Sequence, residues 1–143
     1  MLKQTQHDLI MEKDIKIPEV KDVFVAIVKE YNETFQCDDW NAYIINNKEV
    51  PIEMVLIVSK GYDEDKLLET SVMRKKIEKL PSKSFAKIEL LQGDVLQLSN
   101  FFNVTYFEGS QLFDKKYLFK KGSLKEGALR NIPLLKKRGI LVQ

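Results

Sequence analysis

One histidine, one cysteine and a scatter of carboxylates are all this chain offers for acid–base, nucleophilic or metal chemistry. His7 stands near the N-terminus among Lys3, Asp8 and Glu12, in a stretch with no apolar periodicity to hold it. A general base must be fixed within hydrogen-bond reach of its nucleophile, so His7 reads as a surface residue rather than a triad member. Cys37 precedes Asp38 and Asp39, whose negative charge disfavours the thiolate that nucleophilic attack requires. A zinc centre needs several Cys and His ligands, and one of each cannot supply it. Gly122 and Gly127 have the spacing of a phosphate-binding loop, but Ala128 and Leu129 stand where Lys and Ser or Thr are needed. Asp63-Glu64-Asp65 lacks the central Gly and closing Glu of a calcium loop and reads as an acidic turn or helix start. Glu30, Glu33, Asp38 and Asp39 show no spacing that singles out a catalytic pair. The chain is therefore expected to be no enzyme, with no catalytic, cofactor-binding or metal-ligating residue.

The positive charge is more informative. The stretch from Gln111 to Gln143 holds Lys115, Lys116, Lys120, Lys121, Lys125, Arg130, Lys136, Lys137 and Arg138 against only Asp114 and Glu126. Its net charge is +7, which leaves −5 on the first 110 residues of a chain whose total is +2. Such asymmetry marks a candidate partner-binding surface. Lys115, Lys116, Lys120 and Lys121 alternate with Tyr117 and Phe119, a pattern that suits nucleic acid if bases stack on exposed rings while lysines neutralise phosphates. The same pattern suits a sheet edge whose rings face the core and whose lysines discourage aggregation.

These residues need elements to position them, and period two dominates the chain. Val23-Phe24-Val25-Ala26-Ile27-Val28 is a β-branched run, apolar on both faces, as in a strand buried on two sides. Trp40, Ala42 and Ile44 share a face, and Trp40 to Val58 reads as a hairpin around Asn46-Asn47-Lys48-Glu49. Ala86, Ile88 and Leu90 alternate against Phe85, Lys87 and Glu89 as in a half-buried strand. A second hairpin runs from Phe101 to Phe119 about Glu108-Gly109-Ser110, with Phe113, Tyr117 and Phe119 on one face. Between them, Leu68, Val72, Met73, Ile77 and Leu80 fall at helical spacing, so residues 63–80 read either as a helix, giving an α+β fold, or as a strand ending before Pro81.

Turn signals at sandwich intervals favour the strand, and the expected class is all-β: a single antiparallel β-sandwich of about seven strands with a basic C-terminal extension. Its strands are Val23–Tyr31, Trp40–Asn46, Ile52–Ser59, Thr70–Leu80, Phe85–Leu91, Phe101–Phe107 and Leu112–Phe119. This order resembles an immunoglobulin-like or fibronectin type III-like domain, a likeness of architecture that implies no antigen-binding role. The organisation expected is a flexible lead-in over 1–19, the sandwich over 20–122 and a basic, apolar extension over 123–143. Pro133 forbids one long helix through that extension, whose apolar residues suit packing on the domain or on a partner.

Trp40-Asn41-Ala42-Tyr43, Gly61-Tyr62, Met73-Arg74, Ser84-Phe85 and Asp114-Lys115-Lys116 together resemble a group of small bacterial proteins, some of which carry a phenylalanyl-tRNA synthetase alpha-subunit label. That resemblance implies an accessory role near tRNA; the class II synthetase signature is missing, and 143 residues are too few for that catalytic subunit.

The composition, 44% hydrophobic and 31% charged, is that of a globular domain. No signal-peptide pattern or membrane-length apolar run appears, and a lone cysteine suits a reducing compartment, so the expected location is the cytoplasm. The expected role is a non-catalytic protein–protein interaction or structural module. Its partner is another protein or a second copy of itself, with nucleic acid (RNA) bound by the basic C-terminal region as the alternative and no membrane, metal or cofactor involved.

Overall fold

Two antiparallel sheets face each other in the structure, a computed structural model that describes residues 17–142. Most of the lead-in, with His7, lies outside the described residues. The strands are β1 (Val23–Asn32), β2 (Cys37–Asn46), β3 (Ile52–Asp63), β4 (Leu68–Glu69), β5 (Met73–Leu80), β6 (Ser84–Leu91), β7 (Ser99–Glu108), β8 (Gln111–Phe119), β9 (Arg130–Asn131) and β10 (Arg138–Val142). The first sheet runs β6-β2-β1-β10-β9. The second runs β3-β7-β8, with β4 and β5 pairing successive parts of β3. Short 3-10 turns occupy Gly93–Gln97 and Glu126–Ala128, and the described residues contain no α-helix. The chain is all-β, as its periodicity predicts.

The core lies between the sheets. Val23, Val25 and Ile27 of β1 and Ala42 and Ile44 of β2 share it with Phe102, Val104 and Tyr106 of β7 and with Tyr117 and Phe119 of β8. Phe102 meets Phe119 edge to face with centroids 5.8 Å apart, and Tyr106 stacks on Phe113 at 5.0 Å. Each such buried side chain contributes roughly 2 kcal/mol relative to leaving it in water. The Tyr117 hydroxyl donates to the Val23 carbonyl at 2.6 Å, tying β8 to β1 across the sandwich.

The alternate residues of β1 are buried too, as the two-faced apolar run requires. Ala26 and Val28 join Ile45, Ile132 and Leu135 in a second cluster on the outer side of the first sheet. The segment expected as an extension, 123–143, thus enters the sandwich over its described residues 123–142: β10 pairs Val25–Val28 of β1, and the turn from Ile132 to Leu135 covers the sheet. The physical reason is β1 itself, whose outer edge and outer face both lack partners until the C-terminal segment returns.

The strand reading of residues 63–80 holds, as β5, whereas the first expected hairpin does not form. Residues 63–80 form no helix: β3 ends at Asp63, a turn follows, and β5 is extended. Met73 and Ile77 are four apart, which places them on one face of a helix and equally on one face of a strand, while Leu68 and Val72 are exposed. The Trp40–Val58 hairpin is not formed either, because β2 pairs β1 and β6 whereas β3 belongs to the other sheet. The buried Asn46 side chain donates to the carbonyls of Val50, Leu80 and Pro81, so the loop after it crosses between sheets rather than turning back. The tight pairing falls instead to β1 with β2, from Val23↔Asn46 to Asn32↔Cys37. The hairpin of β7 and β8 stands as expected, with Gly109 at φ +61° in its turn.

Candidate interaction surface and acidic pocket

The basic residues of the C-terminal third fall on both sheets and do not form one patch. Lys115 and Lys116 lie on β8, an edge strand, with Nζ atoms 5.1 Å from the Tyr117 ring centre and 4.2 Å from that of Phe101. Tyr117 and Phe119 are fully buried, so they offer no face for stacking bases. The interleaved pattern is that of an edge strand whose rings enter the core while its lysines stay at the margin. Lys121 binds Asp63 at 2.9 Å, and this ion pair holds the Asp63 carboxyl below its usual range. Asp63 also accepts from the Asp65 backbone at 3.0 Å, making the acidic triplet a turn.

Lys136 and Lys137 lie in the turn that leads into β10, and Arg138 opens that strand of the first sheet. Lys137 donates to Glu30 at 2.5 Å, and Glu30 also accepts from Asn41 at 2.7 Å and Tyr43 at 2.6 Å. Burial alone would raise the Glu30 carboxyl, but these donors outweigh it and hold it low. Arg138 donates to the Leu129 carbonyl at 3.0 Å. Lys137 and Arg138 therefore fasten the C-terminal segment to its own domain. Lys120, Lys125, Arg130 and Lys136 form no ion pair among the described residues and project separately from their loops and strands.

The C-terminal segment leaves Phe85 exposed at the β6 edge of the first sheet, and nothing among the described residues covers the outer face of the second. Met54, Leu56 and Phe107 are brought together there, and each is more than a third exposed. They are neighbours because Leu56 pairs with Thr105 and Glu53 with Phe107, while Met54 lies in an irregularity of β3. Further along the same face, Tyr62 packs on Phe101 with centroids 6.2 Å apart. The surrounding charges have both signs: Lys60 pairs with Glu69, and Asp114 accepts from Asn103 and Thr105.

On the opposite side of the sandwich from β8, a pocket of about 280 Å³ opens between β3 and β6. Alternation predicts Glu89 pointing outward and Leu90 inward; the structure reverses both. The register slips between Ala42 and Tyr43, so Ala42 faces Glu89 while Tyr43 faces Lys87, and Ile88 is the extra residue. Such a bulge re-aims every side chain beyond it. Glu89 therefore enters the space between the sheets, where it accepts from the Ser59 hydroxyl at 2.5 Å. Burial raises its pKa, only partly offset by that hydrogen bond. Gly61 forms the pocket floor: a Cβ there would lie 2.9 Å from Asn100 Oδ1 and 3.2 Å from Thr70 Cγ2. Glu89 and Ser59 carry no motif. The one hint in the sequence is the adjacent pair Leu90-Leu91, which strict alternation cannot bury on one face.

Cys37 is exposed at the start of β2, and Trp40 packs at the core margin beneath Lys29. No protein-family model matches the chain, and no curated protein or solved structure matches it.

Proposed function

We propose that this chain is a non-catalytic binding module on an immunoglobulin-like frame, and that it engages a protein partner through the outer face of its second sheet. One observation carries the reading: the two outer faces are treated differently. The first is covered over β1 and β2 by the chain's own C-terminal segment, with Ile132 and Leu135 buried, and exposes Phe85 singly at its β6 edge. The second keeps Met54, Leu56 and Phe107 exposed. Clustered apolar residues inside a polar rim are what a protein interface uses. A rim of both signs suits a protein better than a polyanion, which favours a single-signed surface. Strand order supports the frame, since β6-β2-β1 opposes β5-β3-β7-β8 with connections crossing between sheets.

The test is affinity capture from native lysate at low and high salt, with the wild type and the Met54→Glu/Leu56→Glu variant side by side. A specific protein that survives high salt on the wild type and is lost from the equally folded variant is expected. Capture of the same protein by both forms, or of nucleic acid alone that leaves as salt rises, would overturn the assignment.

A further inference from the structure

The pocket between β3 and β6 combines three features that a merely structural cavity does not need. It holds a carboxylate without a cation: Glu89 makes its hydrogen bond to neutral Ser59, and no lysine or arginine pairs with it among the described residues. Lys60, at the rim, is committed to Glu69. A partly buried carboxylate is costly unless a positive charge meets it. Second, beside the Ser71 hydroxyl and Lys60 at the rim, the pocket presents the acceptor end of an amide. The Asn100 amide nitrogen is used on the carbonyls of Val95 (2.9 Å) and Leu98 (3.1 Å), which leaves Oδ1 as the free end of that side chain. Thr70 Oγ1 already accepts from the Gly61 amide and donates to the Ser71 carbonyl. Third, Met73, Leu91 and Val95 give the same pocket an apolar wall.

We propose that this pocket binds a primary alkylammonium group, with Glu89 as counter-ion. An ammonium carries three donors on one compact charge, and Glu89, Ser59 Oγ and Asn100 Oδ1 are three acceptors on different strands. A divalent metal ion requires more charged oxygens than one glutamate provides. The apolar wall accommodates the alkyl chain. The site lies between the sheets, apart from the outer face assigned to a protein partner, so it stands or falls independently of that assignment.

Titration of isotope-labelled protein with 1,5-diaminopentane, Nα-acetyl-lysine amide and 1-pentanol, followed by NMR, decides the matter. Saturable shifts confined to Ser59, Gly61, Glu89, Leu91 and Asn100 are expected with an amine and not with the alcohol. Response to both amines marks the ammonium as the recognised group; response to one distinguishes a free diamine from a lysine side chain. Glu89→Gln, which keeps the size and the Ser59 contact, is expected to lose at least about tenfold in affinity, since charge-assisted bonds exceed neutral ones. Absence of localised shifts with either amine up to about 50 mM, beyond the weakest affinity worth calling a site, would overturn the proposal. Equal binding of pentanol would do the same on the wild type alone, whatever the fate of the variant.

Discussion

Two tyrosines and one glutamate make the sharpest comparisons at the level of single residues. Tyr117 and Tyr106 are both fully buried, yet Tyr117 donates to Val23 while the Tyr106 hydroxyl has no partner among the described residues. Burial pushes the Tyr106 phenol up to about 12, with Glu108 adding to the shift. Tyr117→Phe should cost about 1 kcal/mol, whereas Tyr106→Phe should be neutral or stabilising, because an unmade buried hydrogen bond is already a loss. Urea unfolding of the two variants checks this, and equal destabilisation would contradict it. Glu89 supplies a pH signature. Its folded-state pKa is raised above 4.5 by burial, so the native chain holds the proton longer than the unfolded chain. Between that ordinary value and the raised one, stability must fall as pH rises. Glu89→Gln escapes this loss, so in amine-free buffer it should be more stable than wild type at neutral pH, the gap closing towards pH 4. A variant less stable at neutral pH would mean that the charge is compensated.

At the scale of elements, the C-terminal segment decides the shape of the first sheet. β10 can approach β1 only because Gly139 has no side chain: a Cβ would stand 2.5 Å from the Ile27 carbonyl oxygen and 3.0 Å from the Val28 Cα. Backbone cannot yield as a side-chain tip does. Gly139→Ala should therefore destabilise by about 2 kcal/mol, the cost typical of overpacking, and thermal unfolding will report it. The nine basic residues gain their meaning from the same element. Lys137 and Arg138 act as fasteners on Glu30 and Leu129, and the β8 lysines line an edge whose rings point inward. Their spacing was visible in the sequence; their separation onto two sheets was not, since it depends on where the chain turns after Phe119.

For the molecule as a whole, the asymmetry of its two outer faces predicts how it fails. Removing residues 130–142 uncovers Ala26, Val28 and Ile45 and frees the β1 edge, giving the first sheet an apolar face and an open row of backbone donors and acceptors. Sedimentation of that truncated form should show more self-association than the intact chain at the same concentration. A truncated chain that stays monomeric and folded would show that the segment is dispensable. No helix among the described residues is long and apolar enough to cross a membrane.

By itself the sequence determined the class and most of the strands. Period two is written in neighbouring residues, and β-branched runs bounded by turn formers leave little choice of local conformation. It also determined that β1 is buried on two faces, and that Tyr117 and Phe119 share a face with lysines between the strands' apolar positions. Only the tertiary structure decided which strands pair, because Trp40–Val58 has hairpin spacing whether or not its loop crosses to the other sheet. Only the tertiary structure turned Glu89 inward: one bulged residue at Ile88 inverts the pattern beyond it, and no local propensity records a register slip. The destination of the C-terminal segment was settled in the same way. Its apolar residues require cover, but β1 became that cover only when the rest of the sheet had left its edge and outer face open.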